Sequence, residues 1–311
     1  MTIADSAKFD VRTEDDRRSL SLGADVGIYF DLPFRDISDN ILYVYQRFLE
    51  RCQKDLLRWY MTGAMNKHHR VNSRTFNILH TWLKARTRLR ETIFFEIRDG
   101  DDYVDTPNYR FTIFANSRES FSFEDRSNYV QILMPASVLS DDPGGFVAFV
   151  TDICHNFPLS SGHAGYVLER SPYAPNKAYD LAYPLAMRHP GADISDMFEA
   201  SYAVKEDGIK GVNWLTMLGP HFVEQLGGTQ KIRSQPKPEN QIIETRNGVI
   251  LKAGERPEIG DVNRQVELSA YRAAFKTIKP ILVEWYPSFN LQRDDEEDLT
   301  MRWVHRFDDD A

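Results

Sequence analysis

Three strand-like segments follow one another with no helical pattern between them, and this run constrains the fold more than any other feature. They are Thr92–Arg98, Tyr109–Asn116 and Tyr129–Met134, with a period near two (Phe111 and Ile113; Val130 and Ile132) and acidic or polar linkers. Parallel neighbours need a crossover, usually a helix, whereas antiparallel ones do not. The expected class is therefore α+β, with antiparallel sheets flanked by helices, rather than an alternating parallel α/β fold.

Helices bracket the run. Ser38 or Asp39 is placed to cap a helix whose inner face carries Ile41, Tyr45, Phe48, Cys52, Leu56 and Trp59. A second helix is expected from Ser73 to Arg88, and a third from Pro143, stopped at Pro158. An earlier strand, Ala24–Asp31, closes at Pro33. A similar order then recurs. Gly165–Glu169 reads as a strand, Asn176–His189 and Trp214–Leu226 as helical, and Leu268–Glu284 as a helix broken or ended at Pro280. Gln241–Thr245 and Val249–Ala253 read as a hairpin, with Asn247-Gly248 expected to form a type I′ turn. The expected organisation is a polar, frayed segment 1–20 and two similar α/β halves packed together, 21–158 and 159–311, with one continuous domain as the other arrangement.

Charge and composition narrow the function classes. The chain has 311 residues with 38 Lys plus Arg against 46 Asp plus Glu, a net charge of −8. That argues against direct nucleic-acid binding, which rests on neutralising phosphates, and favours a basic partner. Cys52 and Cys154 are the only cysteines, which rules out a disulfide framework and suits a reducing compartment. The first residues lack the basic start and apolar stretch of a secretory signal, and no apolar run reaches the ~20 residues of a membrane span. A cytoplasmic protein is the expectation.

Catalytic signatures are missing. There is no G-x-x-x-x-G-K-[ST] phosphate loop, no H-E-x-x-H and no G-x-S-x-G. No catalytic residue, cofactor or metal site is assigned; His68-His69 lies in a basic stretch unsuited to a cation. The alternative to a binding protein is a metal-assisted hydrolase built on His155, His163 and nearby acids, because Cys154–His163 concentrates a thiol, hydroxyls and imidazoles.

Two acidic runs carry more information: Asp99-Gly-Asp-Asp-Tyr-Val-Asp105 and Asp294-Asp-Glu-Glu-Asp298. A solvated loop or tail explains such runs, and so does a negative surface that meets a basic cleft on another protein. The candidate partner-binding residues are Asp99, Asp101, Asp102, Tyr103 and Asp105 in the first run, and Asp294, Asp295, Glu296 and Glu297 in the second.

The most distinctive stretch is Lys210-Gly-Val-Asn-Trp-Leu-Thr-Met-Leu-Gly-Pro-His-Phe-Val-Glu-Gln-Leu-Gly-Gly228. Together with Arg302-Trp-Val-His-Arg-Phe-Asp308 and the early Gly27-Ile-Tyr-Phe segment, it resembles the bacterial type VI immunity family, formerly a domain of unknown function. The resemblance implies an immunity protein that binds and inhibits a cognate type VI secretion toxin. It further implies a nuclease target with a restriction-endonuclease-like fold, neutralised by occlusion of its active site or by blocking a required rearrangement. It supplies no catalytic motif and no mapped binding residue.

Overall fold

The computed structural model describes residues 9–84, 91–120, 122–171, 173, 175–206, 208–234, 240–289 and 299–308. The first half supplies β1 (Val11–Arg12), β2 (Arg18–Phe30), α1 (Ser38–Arg51), β3 (Trp59–Thr62), β4 (His69–Arg70), α2 (Ile78–Lys84), β5 (Thr92–Arg98), β6 (Arg110–Asn116), β7 (Asn128–Pro135), α3 (Ser137–Asp141) and α4 (Pro143–Asn156). The rest supplies β8 (Ser161–Arg170), α5 (Pro175–Arg188), β9 (Asp193–Ile194), α6 (Met197–Ala203), β10 (Leu215–Leu218) and α7 (Pro220–Gln225). After these come α8 (Thr229–Ser234), β11 (Asn240–Thr245), β12 (Gly248–Ala253), α9 (Ser269–Ile278) and α10 (Leu299–Val304).

All twelve strands join one sheet, in the order β11-β12-β10-β8-β2-β7-β6-β5-β3-β4, with β1 beside β2 and β9 beside β8. Every pairing between these strands is antiparallel except β8 with β9. The α+β class and antiparallel sheet expected from the strand run are what the chain adopts.

β2 lies at the centre, paired with β7 on one side and β8 on the other. Its Ala24, Val26, Ile28 and Phe30 point to one face, and Asp25, Gly27 and Tyr29 to the other. The first set continues across the sheet in register, for example Ile97–Phe111–Ile132–Val26–Ala164–Leu215. α1 covers this apolar face, with Tyr45 edge-on to Phe95 at 5.9 Å and Phe48 against Phe111 at 5.7 Å. α4 lies beside it, tied to α1 by Tyr43 and Arg47 on Asp152.

Several expected boundaries move. α1 ends at Arg51, and Leu56 and Trp59 leave its face: Leu56 is 38% exposed, while Trp59 opens β3. The second helix is shorter and begins with a 3-10 turn at Thr75–Asn77, and positions 85–88 of the expected span lie outside the described residues. Trp214–Leu218 is no helix. Leu215–Leu218 is a buried apolar run, which periodicity alone cannot tell from helix, and it pairs with β8 and β12. The expected break at Pro280 does hold: α9 stops at Ile278, and a 3-10 turn follows at Lys279–Ile281. The β11–β12 turn is Arg246-Asn247, because Thr245 pairs with Gly248 and only Gly248 takes positive φ, at 135°. The Asn247 side chain instead donates to the carbonyls of Cys154, His155 and Phe157, clamping the hairpin to the end of α4.

Candidate functional site

The second sheet face is polar, and strand register makes it so. Glu96, Thr112, Gln131, Gly27, His163 and Thr216 stand directly opposite one another across six strands. The adjacent row contains Arg98, Arg110, Leu133, Asp25 and Gly165. Gly27 is required there, since a Cβ would sit 2.6 Å from both His163 Cε1 and Met197 Sδ.

These groups form a buried chain of hydrogen bonds and ion pairs. Arg110 clasps both oxygens of Glu169 and donates to Gln131 Oε1 at 2.7 Å. Gln131 Nε2 donates to Asp25 Oδ2 at 2.9 Å and to Ser195 Oγ at 3.0 Å. His163 Nε2 lies between two carboxylates, 3.6 Å from Asp25 Oδ2 and 3.5 Å from Asp193 Oδ2. Lys210 Nζ then pairs with Asp193 Oδ2 at 3.0 Å and with Asp196, and donates to the Ile194 carbonyl at 2.8 Å. Tyr286 donates its hydroxyl to Asp196.

The electrostatics follow from burial and pairing. Burial alone would depress the Lys210 ammonium, but Asp193 and Asp196 reverse that and hold its pKa above the ordinary value. Burial would raise Asp193, and Lys210, His163 and Arg306 instead hold it down. At Glu96 burial is likewise overcome, by the His68 hydrogen bond and the Arg110 and Arg98 charges, and its pKa falls to about 2.

Over β2 and β8 this polar face is roofed by α5, and α6 packs against β7 with Met197 over Gly27. Over β5–β7 it opens into a cleft of about 460 Å³. Its floor is Glu96, Arg110, Thr112, Gln131 and Glu169, and its walls include Met61, Met65 and His68 on one side and Met197 and Phe198 on the other. His68 Nε2 lies 2.7 Å from Glu96 Oε1, and its Nδ1 2.7 Å from the Tyr173 hydroxyl. Two large, exposed aromatic residues stand on the lips, Tyr173 at 41% and Phe198 at 49%.

The acidic loop divides into anchors and free charges. Asp99 is buried and accepts from the backbone N–H groups of Asn108 and Tyr109, while Asp105 accepts from that of Arg18. Both hold the loop in place. Tyr103 packs between Trp59, His68 and Tyr173, behind one lip of the cleft. Asp101 and Asp102 face solvent; Asp101 pairs with Arg58 at 3.1 Å, and Asp102 accepts from the Val104 N–H. Asp294, Asp295, Glu296 and Glu297 lie outside the described residues. His155 and His163 do not meet. His155 accepts from Arg246 N–H at the hairpin turn, whereas His163 is enclosed between Asp25 and Asp193. No group of three His, Cys, Asp or Glu side chains among the described residues is arranged to hold a metal ion. The hydrolase reading has no assembled site behind it.

A family described as "Type VI immunity for VRR-NUC" matches residues 40–307. The chain belongs to that family. The resemblance carried by the Lys210–Gly228 and Arg302–Asp308 stretches is thus shown. A Pseudomonas aeruginosa T6SS protein, PA0821, has the same fold: TM-score 0.83, 18% identity, 98% of this chain and 90% of that one covered. No curated protein matches.

The segments that carried the resemblance converge in this immunity protein. Lys210 and Arg306 both approach Asp193, with Arg306 Nη2 at 3.9 Å from its Oδ1, and Trp303 lies beneath the Lys210 ammonium at 5.5 Å. Gly27 opens the space that His163 fills beside them. The Arg306 fork also donates to the carbonyls of Pro190, Trp303 and Val212. Lys210, Trp303 and Arg306 are thus buried scaffold. Among the described residues no helix is long and apolar enough to cross a membrane.

Proposed function

We propose that this type VI immunity protein neutralises a nuclease toxin by binding it stoichiometrically and covering its nucleic-acid cleft, without turning over a substrate of its own. The observation that carries the reading is the family match over residues 40–307, described as immunity for VRR-NUC. The net charge of −8 supports it, because a nuclease surface built to hold phosphates is positive and an acidic inhibitor approaches it quickly. The solvent-facing carboxylates of Asp101 and Asp102 serve as peripheral steering charges. A toxin that cuts nucleic acid in the cytoplasm is met there, which makes the cytoplasm the proposed site of action.

Titrating the purified chain against its cognate VRR-NUC toxin tests the proposal. DNA cleavage should fall linearly with added immunity protein and vanish near one equivalent. Full cleavage at a fivefold excess, or protection at far below one equivalent, would overturn the stoichiometric mechanism.

A further inference from the structure

The geometry points to the cleft between β5 and α6 as the place where the toxin is gripped, with an arginine side chain on a projecting toxin loop as its occupant; this rests on the immunity reading above. The lips have the composition of an interface anchor point. Phe198 and Tyr173 are exposed aromatics beside a shielded pocket, and Met61 and Met65 are flexible, polarisable side chains that adapt to what enters.

The Glu96 carboxylate on the floor has acceptor sites to spare, and among the described residues Arg110 Nε and the Arg98 Nε and Nη1 beside it also lack hydrogen-bond partners. A carboxylate offers about four acceptor sites. Glu96 receives hydrogen bonds from His68 and Thr112. Its arginine neighbours stand off, with Arg98 Nη1 at 3.9 Å and Arg110 Nε at 4.0 Å, beyond hydrogen-bond reach. The two terminal nitrogens of Arg110 are already spent on Glu169 and Gln131. Glu96 also stays ionised well into the acid range. A cation with planar N–H donors fits this floor.

The molecule itself shows what its aromatic lip binds. The Arg126 guanidinium lies 4.0 Å from the Phe198 ring centroid, 4.1 Å from that of Phe114 and 4.6 Å from that of Tyr202. Phe114 in turn stacks on Tyr129, which lines the cleft. One arginine therefore already packs on this aromatic group, and two of the rings connected with it, Phe198 and Tyr129, also line the cleft that would receive a second. A nuclease carries such arginines to meet phosphates, so drawing one into the cleft also takes it from the nucleic acid.

Calorimetric titration with the catalytically inactivated cognate VRR-NUC toxin tests this. Phe198→Ala should weaken binding at least tenfold with only a small drop in melting temperature, because Arg126 keeps its Phe114 and Tyr202 contacts. Met65→Lys should weaken it as much, and more steeply at low salt. Glu96→Gln should do the same, with circular dichroism to confirm that it folds. An arginine-to-alanine scan of the toxin should find one position whose loss is not additive with Phe198→Ala. If the unaltered chain binds while Phe198→Ala and Met65→Lys bind within twofold of it, the cleft is not the grip. Coupling only to a non-basic toxin residue would overturn the occupant. If the unaltered chain itself fails to bind, the immunity reading falls and takes the cleft with it.

Discussion

Replacing Lys210 by methionine tests the buried ionic chain directly, because methionine keeps most of the stem volume and removes only the charge and its donors. In the native chain the ammonium pairs with Asp193 and Asp196 and donates to the Ile194 carbonyl, all in a buried setting. Its loss leaves Asp196 with no cation in contact and Asp193 with Arg306 at 3.9 Å and the His163 ring at 3.5 Å. Removing one partner of a buried pair costs about 3–5 kcal/mol. At about 2 °C per kcal/mol for a chain of this size, the melting temperature should drop by roughly 6–10 °C. The sign of the pH dependence follows from the shifts. The raised Lys210 pKa stabilises fully below its ordinary 10.5 and is lost only as pH climbs through the higher folded value. The lowered Asp193 pKa stabilises above 3.8 and fades as pH falls. Urea titrations should thus show a deficit that is flat from pH 6 to 9. Adding Asp196→Asn removes the stranded carboxylate and should recover ~1–3 kcal/mol of it. A Lys210→Met chain within 1 kcal/mol of the unaltered one, or a double variant less stable than the single, would refute the reasoning.

Three further outcomes are expected. Glu96 titrates near 2 against an ordinary 4.5, so it contributes roughly 3 kcal/mol above pH 5 that drains away as pH falls towards 2; Glu96→Gln should flatten that acid limb in a denaturation series. Gly27→Ala forces a methyl against His163 and Met197 and should cost about 1–3 kcal/mol by urea titration, although alanine restricts the unfolded chain; a neutral result would mean the polar row has slack. Reversing Asp101 and Asp102 to lysine should slow association with the toxin several-fold at low salt and little at high salt, read by stopped flow, with the dissociation rate nearly unchanged.

The strand run was the most legible part of the chain. Phe111 and Ile113, or Val130 and Ile132, alternate because one sheet face lies under α1, and the class follows from that. Leu215–Leu218 misled because a four-residue buried run satisfies helix and strand alike, and Leu56 and Trp59 because two residues can continue a 3.6 period by coincidence. The charged site was hidden for another reason. Asp25, Glu96, Arg98, Arg110 and Gln131 sit at the polar beats of alternating strands, which ordinarily mark a solvent face. Here the second half of the chain folds back over that face, and no local pattern announces a roof built from residues 175–203. The signal that was present is the density of charge at strand centres: Ile93-Phe-Phe-Glu-Ile-Arg98 places two ionisable groups where a half-exposed strand more often carries Thr or Ser. Among the acidic-loop residues, Asp99 and Asp105 look identical in sequence to Asp101 and Asp102, and only the tertiary fold tells the pair that accepts from distant backbone N–H groups from the pair that faces solvent.

The ionic rows also explain how so wide a sheet keeps its register. Side chains alternate faces with a period of two, so a one-residue slip of β7 against β2 would carry Gln131 into the layer beneath α1 and α4 and turn Val130 and Ile132 towards the polar row. The same slip of β5 would send Glu96 and Arg98 together into a layer of Phe and Ile, where neither has a partner and each costs several kcal/mol. A purely apolar pair of faces would tolerate the slip far better, since Val, Ile and Phe exchange places at little cost. The buried charges thus need not add net stability to be useful: they penalise every misaligned sheet more than the native one. The cleft floor is the exposed end of that same alignment, with Glu96, Arg110 and Gln131 contributed by three different strands. Whatever fixes the register therefore also fixes the surface shown to a partner, which limits the ordering a partner must impose on binding.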